Sequence, residues 1–399
     1  MTAATYSDGS EPFEFRMLFY DKRYRSITLQ IITIVLFMLA VAWLVDNVVQ
    51  NFRDLGKDFS FGFLFQPASY DINQTLIEYT SRSPHWKAAV VGILNTLLIA
   101  FLGCIAATIV GVLIGVARLS QNWLVSRFMT VYIEGFRNVP VLLWILLMST
   151  IFATALPSPR QAPQLLGGAL VPTNRGFYLP AFEWGAGSLP LVIIFLLSIV
   201  AIIVFRRWAR TRQQETGEIL PVFWISLALF FLPSLIAFFL LGRPIGLEFA
   251  ELKGFNYQGG LYVRNSFMAL WLALSLYTAA FIAENVRAGI QAISKGQTEA
   301  SYSLGLPPSR TMNLVILPQA LRIIIPPLIS QYLNLTKNSS LAIAVGYMDI
   351  TGTLGGITLN QTGREMECLL LVMGFYLIVS LLISGVMNVY NSAVALKER

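Results

Sequence analysis

Charge is scarce in this chain. Of its 399 residues only 12% are Asp, Glu, Lys or Arg, against roughly a quarter in soluble domains. So little charge does not cover a surface wetted on all sides, so a soluble globular protein is excluded and lipid is the expected solvent. Histidine is scarcer still, with His85 alone. Cysteine is limited to Cys104 and Cys368, both inside apolar stretches, so no disulfide is expected and the redox compartment is not legible. One histidine and two separated cysteines do not assemble a zinc, haem or iron–sulfur constellation, and no Ser-His or Cys-His pair stands at a usual spacing. The pattern G-x-x-x-x-G-K-[ST] is missing, so the chain has no phosphate-cradling loop of that type. The net charge is +7, but the basic residues flank apolar runs and form no single basic face, which argues against nucleic acid.

Apolar length is what the chain has in abundance, at 56% hydrophobic residues. Eight runs approach the ~20 residues that cross a bilayer: 27–49, 88–117, 128–154, 188–205, 221–241, 266–290, 323–347 and 367–391. The first follows a leader that carries Asp8, Glu11, Glu14 and Asp21. A leader so acidic, before so long a run, reads as preceding an uncleaved helix, although Ala40-Val41-Ala42 mimics a cleavage site. The clusters DKRYR (21–25) and RRWARTR (206–212) place 1–26, 118–127, 206–220, 291–322 and the tail ending LKER on the cytoplasmic side, with both termini. Residues 50–87 and the Pro/Gly-rich 155–187 read as external loops. Gly111 and Gly115 form a GxxxG, either a seam for close helix approach or glycines merely tolerated in lipid. No internal repeat, low-complexity segment or separate soluble domain is evident.

Polar residues inside such spans are costly and therefore informative. Asn95-Thr96 lie in the second run. In the third, EGFRNVP places Arg137 three residues after Glu134, within pairing reach on one helix face, followed by Asn138 and by Pro140, which removes a backbone donor and kinks the helix. Arg137 is either half of a structural ion pair or a gate or substrate contact. Glu284-Asn285 with Arg287 stand near the end of the sixth run and either line a path or are simply wet. Lys337-Asn338-Ser339-Ser340 fall about ten residues beyond Pro326-Pro327; adjacent polar positions point around the helix, toward a cavity or a neighbouring helix. Arg137, Lys337 and Glu284 together supply both signs that a zwitterion needs.

A polar interruption, 294–327, separates the sixth and seventh runs. Ser294 and Gln297 have the spacing of a capping box, and a helix is expected to end at Leu304. Gly305 suits a left-handed C′ position, and Pro307-Pro308 stop the helix. A second short helix from Ser309 toward Pro318 would put Met312, Leu314, Val315 and Leu317 apart from Arg310 and Asn313. The product is a knob at the membrane surface.

Glu299-Ala300-Ser301, then Gly305, then Val315-Ile316-Leu317-Pro318 resembles the EAA loop of ATP-binding-cassette (ABC) importer permeases, whose pattern is EAA, three residues, G, nine residues, I-x-L-P. Serine replaces the second alanine and valine the isoleucine, with the spacing kept. FIAENVRAGIQAI (281–293), LPQALRIIIPPL (317–328) and LTKNSSLA (335–342) resemble the polar amino-acid permeases, and the long form resembles the general L-amino-acid permease subunits. The resemblance covers 88–154 and 265–391. It implies an all-α integral membrane protein of about eight transmembrane helices, with the type I importer permease fold and a cytoplasmic coupling loop at 294–322. Residues 1–87 and 155–264, with two spans of their own, would be additions to a core formed by 88–154 and 265–399. The resemblance further implies a non-catalytic subunit of the bacterial inner membrane that forms the translocation pathway for L-amino acids. Its partners would be ABC ATPase subunits that bind ATP and magnesium, a second related permease, a periplasmic amino-acid-binding protein and membrane lipid. Glu299, Ala300, Ser301, Gly305, Leu317 and Pro318 would couple to the ATPase. The alternative class is an ATP-independent secondary transporter or channel. It would need embedded acids as ion relays, and spans two to five, seven and eight hold no Asp.

Overall fold

The computed structural model describes residues 22–54, 56 and 59–394; the two tails assigned above to the cytoplasm lie, from 1 to 21 and from 395 to 399, outside the described residues. Lys22–Asp54 forms helix α1 of 33 residues. Its apolar side chains, among them Ile34, Phe37, Leu39 and Trp43, are exposed around the whole circumference, the pattern of a helix solvated by lipid.

In the unit from Leu64 onward, the core is built on α2 (His85–Arg118) and α7 (Asn265–Gln291). Ile99 and Ala107 of α2 meet Leu270, Ala273, Leu274 and Ile282 of α7 in one buried cluster. Gly111 and Gly115 resolve the ambiguity of the GxxxG. A Cβ on Gly111 would stand 2.9 Å from the Ala279 carbonyl oxygen, and one on Gly115 2.7 Å from that of Ala283. The two glycines are the seam by which α2 reaches the backbone of α7.

The third run, expected as one span over 128–154, is two helices, α3 (Trp123–Asn138) and α4 (Val141–Thr154), bent by 106°. Proline disfavours helical backbone in the residue before it, and Val139 is extended at φ −111°, ψ 133°. The consequence is a break and not merely a kink. Among the described residues, counting the pair as one span gives eight helices long and apolar enough to cross a membrane; without it there are seven.

The insertion forms a hairpin of α5 (Ser188–Thr216) and α6 (Val222–Leu240). Its flanking loops also hold strands, which the sequence reading did not anticipate. Val171–Thr173 (β1), Gly176–Leu179 (β2), Ala181–Trp184 (β3), Ile245–Glu248 (β4), Glu251–Lys253 (β5), Asn256–Gln258 (β6) and Leu261–Arg264 (β7) make three small antiparallel sheets, ordered β1-β2-β7, β3-β4 and β5-β6. Strands of three or four residues are too short to show a period of two in sequence, and their pairing is long-range: Gly176 lies opposite Arg264.

The interruption after α7 contains α8 (Lys295–Ser303). The next piece does not stop at Pro318. It begins as α9 (Pro308–Thr311), widens into a π-turn over Met312–Ile316, and continues as α10 (Leu317–Asn338), the seventh span. A widened turn accommodates a residue that cannot donate to the preceding turn, so the second short helix and the seventh span are one continuous element. A tight turn over Ser339–Val345 follows, then α11 (Ile350–Gly352), a second π-turn, α12 (Leu359–Thr362) and α13 (Glu365–Val394).

Candidate functional site

Helix α8 ends as the glycine predicted. Gly305 has φ +76°, the Leu306 amide donates to Ser301 O at 3.2 Å, and the Gly305 amide to Tyr302 O at 2.9 Å. That is a Schellman closure, which needs a left-handed residue at C′. The capping box at the other end does not form. Ser294 is N-cap without a side-chain bond, and Gln297 instead accepts from Gln319 Nε2 at 3.4 Å, tying α8 to α10. The knob has two faces. Ser301, Thr311 and Ile316 are buried, whereas Glu299, Ala300, Gly305, Leu317 and Pro318 are exposed. Leu304 and Leu314 are also outward, 81% and 65% exposed, beside Tyr302.

The polar residues of the spans sort into three places. At one end of α2, Asn95 and Thr96 are fully buried. Asn95 Nδ2 donates to Gln74 O and to Met348 O, each at 2.9 Å. Thr96 Oγ1 donates to Gly92 O at 2.9 Å and accepts from the Ile350 amide at 3.1 Å. These bonds tie α2 to the segment between α10 and α13.

At the other end, Glu284 is shared by two guanidinium groups. Arg118 Nη1 of α2 donates to its Oε2, and Arg287 Nε to its Oε1 at 3.2 Å. Arg287 Nη1 also holds Gln291 Oε1 at 2.6 Å. The expected Glu134–Arg137 pair is absent among the described residues. Asn138 Nδ2 donates to Glu134 Oε2 at 3.3 Å, and Arg137 lies 5.3 Å from the centre of the Phe281 ring. The break at Val139 ends α3 one residue after Arg137, and Phe281, one turn from Glu284, offers that guanidinium a π face. Asn285 Nδ2 is buried with no hydrogen-bond partner among the described residues.

The third place is the end of α10. Lys337 is exposed, Ser340 Oγ donates to Lys337 O at 2.8 Å, and buried Ser339 donates to Thr336 O at 2.7 Å. The structure therefore joins Arg137, Glu284 and Arg287 but keeps Asn95-Thr96 and the Lys337–Ser340 run apart from them.

A family model described as "Binding-protein-dependent transport system inner membrane component" matches residues 214–394. The glutamate/glutamine/aspartate/asparagine transport system permease protein BztB of Rhodobacter capsulatus is 52% identical over 417 residues, 97% of this chain and 97% of its own length. The chain belongs to the amino-acid permeases of ABC transporters. The general L-amino acid transport system permease protein AapQ of Rhizobium johnstonii is 45% identical over 97% of the permease and 96% of its own chain. YhdX of Escherichia coli strain K12 is 42% identical over 96% of this chain and 97% of its own.

Two residues of the permease escaped the sequence reading. Arg118 opens the segment 118–127 read above only as a cytoplasmic connection; its role depends on α7 passing alongside. Asp349 is fully buried between the seventh and eighth spans. Its Oδ1 accepts from the Gly352 amide at 2.8 Å and its Oδ2 from Tyr376 Oη at 3.3 Å. Desolvation pushes its carboxyl up to about 6, against the hydrogen bonds that favour ionisation. Asp349-Ile350-Thr351-Gly352 reads as an N-cap, and that signal would have found it. Nearby, Tyr70 Oη and His85 Nδ1 both meet Thr358 Oγ1, at 2.9 and 3.1 Å, and burial pushes the Tyr70 phenol up to about 12.

Proposed function

We propose that this permease is the transmembrane subunit of an ATP-driven importer of L-amino acids with broad specificity, in the bacterial inner membrane. One observation carries the reading: near-full-length identity to permeases named for amino-acid transport, in a chain that presents an exposed knob of α8 and α9 between two spans. Leu304, Leu314 and Tyr302 leave an apolar face uncovered, and Glu299 adds an anion to the same surface. A nucleotide-binding ATPase subunit, which supplies ATP and magnesium, covers that face, and its closure moves α7 and α10 through the bend at Gly305. Glu299, Ala300, Ser301, Gly305, Leu317 and Pro318 form the contact or set its geometry. The knob, the turn at 118–127 and the segment 206–220 then lie in the cytoplasm with both termini. A second related permease completes the pathway as a heterodimer, and a periplasmic binding protein delivers the substrate.

Within the pathway the candidate groups remain Asn95, Thr96, Arg137, Asn138, Pro140, Glu284, Asn285, Lys337, Asn338, Ser339 and Ser340. Their geometry supports two kinds of work. Arg137, over the Phe281 ring and in the field of Glu284 without a salt bridge to it among the described residues, is suited to receive a substrate carboxylate, and unpartnered Asn285 is suited to donate beside it. Glu284, clasped by arginines from α2 and α7, is suited to hold the inner end of the path closed. Asn95 and Thr96 act by holding the outer segment 347–350 in place. The test is co-purification of the tagged permease from its native membrane in mild detergent, with subunits identified by mass spectrometry. An ATPase and a second permease are expected. An otherwise intact complex with no ATPase would overturn the reading in favour of an ATP-independent transporter.

A further inference from the structure

The hairpin of α5 and α6 makes its principal helix contact within itself. Its outward faces are apolar and uncovered, with Val200, Ile203 and Val204 on α5 and Phe231, Leu232 and Leu235 on α6. The two helices differ in length, 29 residues against 19. At about 1.5 Å per residue, α5 runs well beyond the ~30 Å hydrocarbon core, and the overhang carries Arg206, Arg207, Trp208, Arg210 and Arg212.

The depth of this overhang is fixed by a bond between the helices. Arg206 Nε donates to Ser226 Oγ at 3.3 Å, so Arg206 and Ser226 lie close in depth, within the reach of the arginine side chain. The helices are antiparallel. Trp208 on α5 and Trp224 on α6 therefore both stand about 3 Å further toward the same end, with Phe223 beside them. All three rings are about half to two-thirds exposed, at 49%, 67% and 66%. A ring of exposed aromatics at one level marks the headgroup boundary of a bilayer.

Two of the four arginines are engaged within the protein: Arg206 on Ser226, and Arg212, whose Nε lies 3.0 Å from Glu218 Oε2 and whose guanidinium lies over Trp208. Arg207 and Arg210 are exposed, and their guanidinium groups have no ion pair or hydrogen bond among the described residues. They are three apart and share a face. The residues one and two turns back on that face are Ile203, Val204 and Val200, all uncovered. Two open guanidinium forks at headgroup depth, continued by an apolar track into the membrane, fit a ligand with an anionic phosphodiester and acyl chains. Guanidinium groups bind phosphate oxygens in pairs and carry their charge at any physiological pH.

We propose that Arg207 and Arg210 form a binding site for an anionic phospholipid headgroup, with the acyl chains along Val200, Ile203 and Val204. The insertion is thereby an anchor that selects the lipid around the permease. The site does not depend on which substrate the permease carries.

The test uses the full-length permease complex in mild detergent, titrated with phosphatidylglycerol and with phosphatidylcholine, and bound lipid counted by native mass spectrometry. Saturable retention of phosphatidylglycerol over phosphatidylcholine is expected. Each surface arginine contributes roughly fivefold to anionic-lipid affinity, so Arg207→Gln/Arg210→Gln should weaken retention roughly 30-fold. Arg207→Lys/Arg210→Lys should keep most of it. Should the double glutamine variant fail to elute as an intact complex, Arg210→Gln alone, expected at about a fivefold loss, carries the test. Unchanged phosphatidylglycerol retention in a glutamine variant overturns the proposal, as does equal retention of the zwitterionic lipid. Glycerol 3-phosphate and inorganic phosphate, added at the lipid concentration, should not displace it; displacement would show a site for soluble phosphate and overturn the lipid assignment.

Discussion

Gly115→Ala adds one methyl group to the seam between α2 and α7. The new Cβ would stand 2.7 Å from the Ala283 carbonyl oxygen and 2.9 Å from Val286 Cβ, distances that real Cβ atoms do not tolerate. The nearer obstacle is backbone, which no rotamer change can clear, so the two helices must part by several tenths of an ångström. Within lipid the loss is of packing contacts along the seam, since tails solvate apolar surface as well as protein does. Overpacking of this kind costs about 1–3 kcal/mol. At about 2–4 °C per kcal/mol, Gly115→Ala should lower the apparent melting temperature by roughly 2–12 °C. Gly111→Ala, whose Cβ meets the Ala279 carbonyl oxygen at 2.9 Å, should do the same. The control is Gly135→Ala on α3, where a Cβ meets nothing within 4 Å and a helix-interior alanine gains about 0.5–1 kcal/mol. The assay is the temperature at which half of a fluorescently tagged permease survives heating as a monodisperse peak in size-exclusion chromatography. A Gly115→Ala protein that melts with or above the wild type, while Gly135→Ala behaves as stated, would refute the seam.

Three other perturbations follow from the site. At Gly305, φ is +76° and a Cβ would meet nothing within 4 Å, so the penalty is backbone conformation alone, about 1–2 kcal/mol for most residues and less for Asn. ATP-dependent uptake in vesicles should therefore fall in the order Gly305→Asn, Gly305→Asp, Gly305→Val, with insertion intact; wild-type uptake by the valine variant would disprove the coupling role of the bend. Asp349 is held at about 6 against an ordinary 3.8, so the fold favours the protonated acid. Its contribution is complete below about pH 4 and is lost as pH rises through about 6, by at most ~3 kcal/mol. Hydrogen exchange of 347–362, corrected for intrinsic rates, should be slower at pH 5 than at pH 7.5, and Asp349→Asn should flatten the difference; a slope that survives in the variant contradicts this. Glu284→Arg should destabilise the contact between α2 and α7 by leaving like charges beside Arg118 and Arg287, and Arg118→Glu in the same chain should restore about 1–2 kcal/mol of it. Strict additivity of the two changes would mean that the pair is not coupled.

The membrane class, the run of spans and the knob at 294–322 were legible in the sequence because each is local. A span is a composition over about twenty residues, and the C-cap at Gly305 is written in Leu304-Gly305-Leu306-Pro307, whose geometry closes within its own turn. The family, too, was carried by spacing along the chain. What the sequence could not decide was every question of partnership across it. Whether Gly111 and Gly115 formed a seam depended on Ala279 and Ala283 of α7 arriving opposite them from far along the chain. Glu284 was read with its helical neighbour Arg287, yet it also belongs to Arg118 on another helix. Arg137 exchanged an expected acid three residues away for the face of Phe281. Pro140 and Pro318 show the limit most plainly. Both remove one backbone donor, but at Pro140 the chain breaks and turns through 106°, whereas before Pro318 the helix widens and continues as one element. The residue states only that a bond is missing. Which way the helix then goes depends on what each half packs against, and that is settled by the tertiary structure.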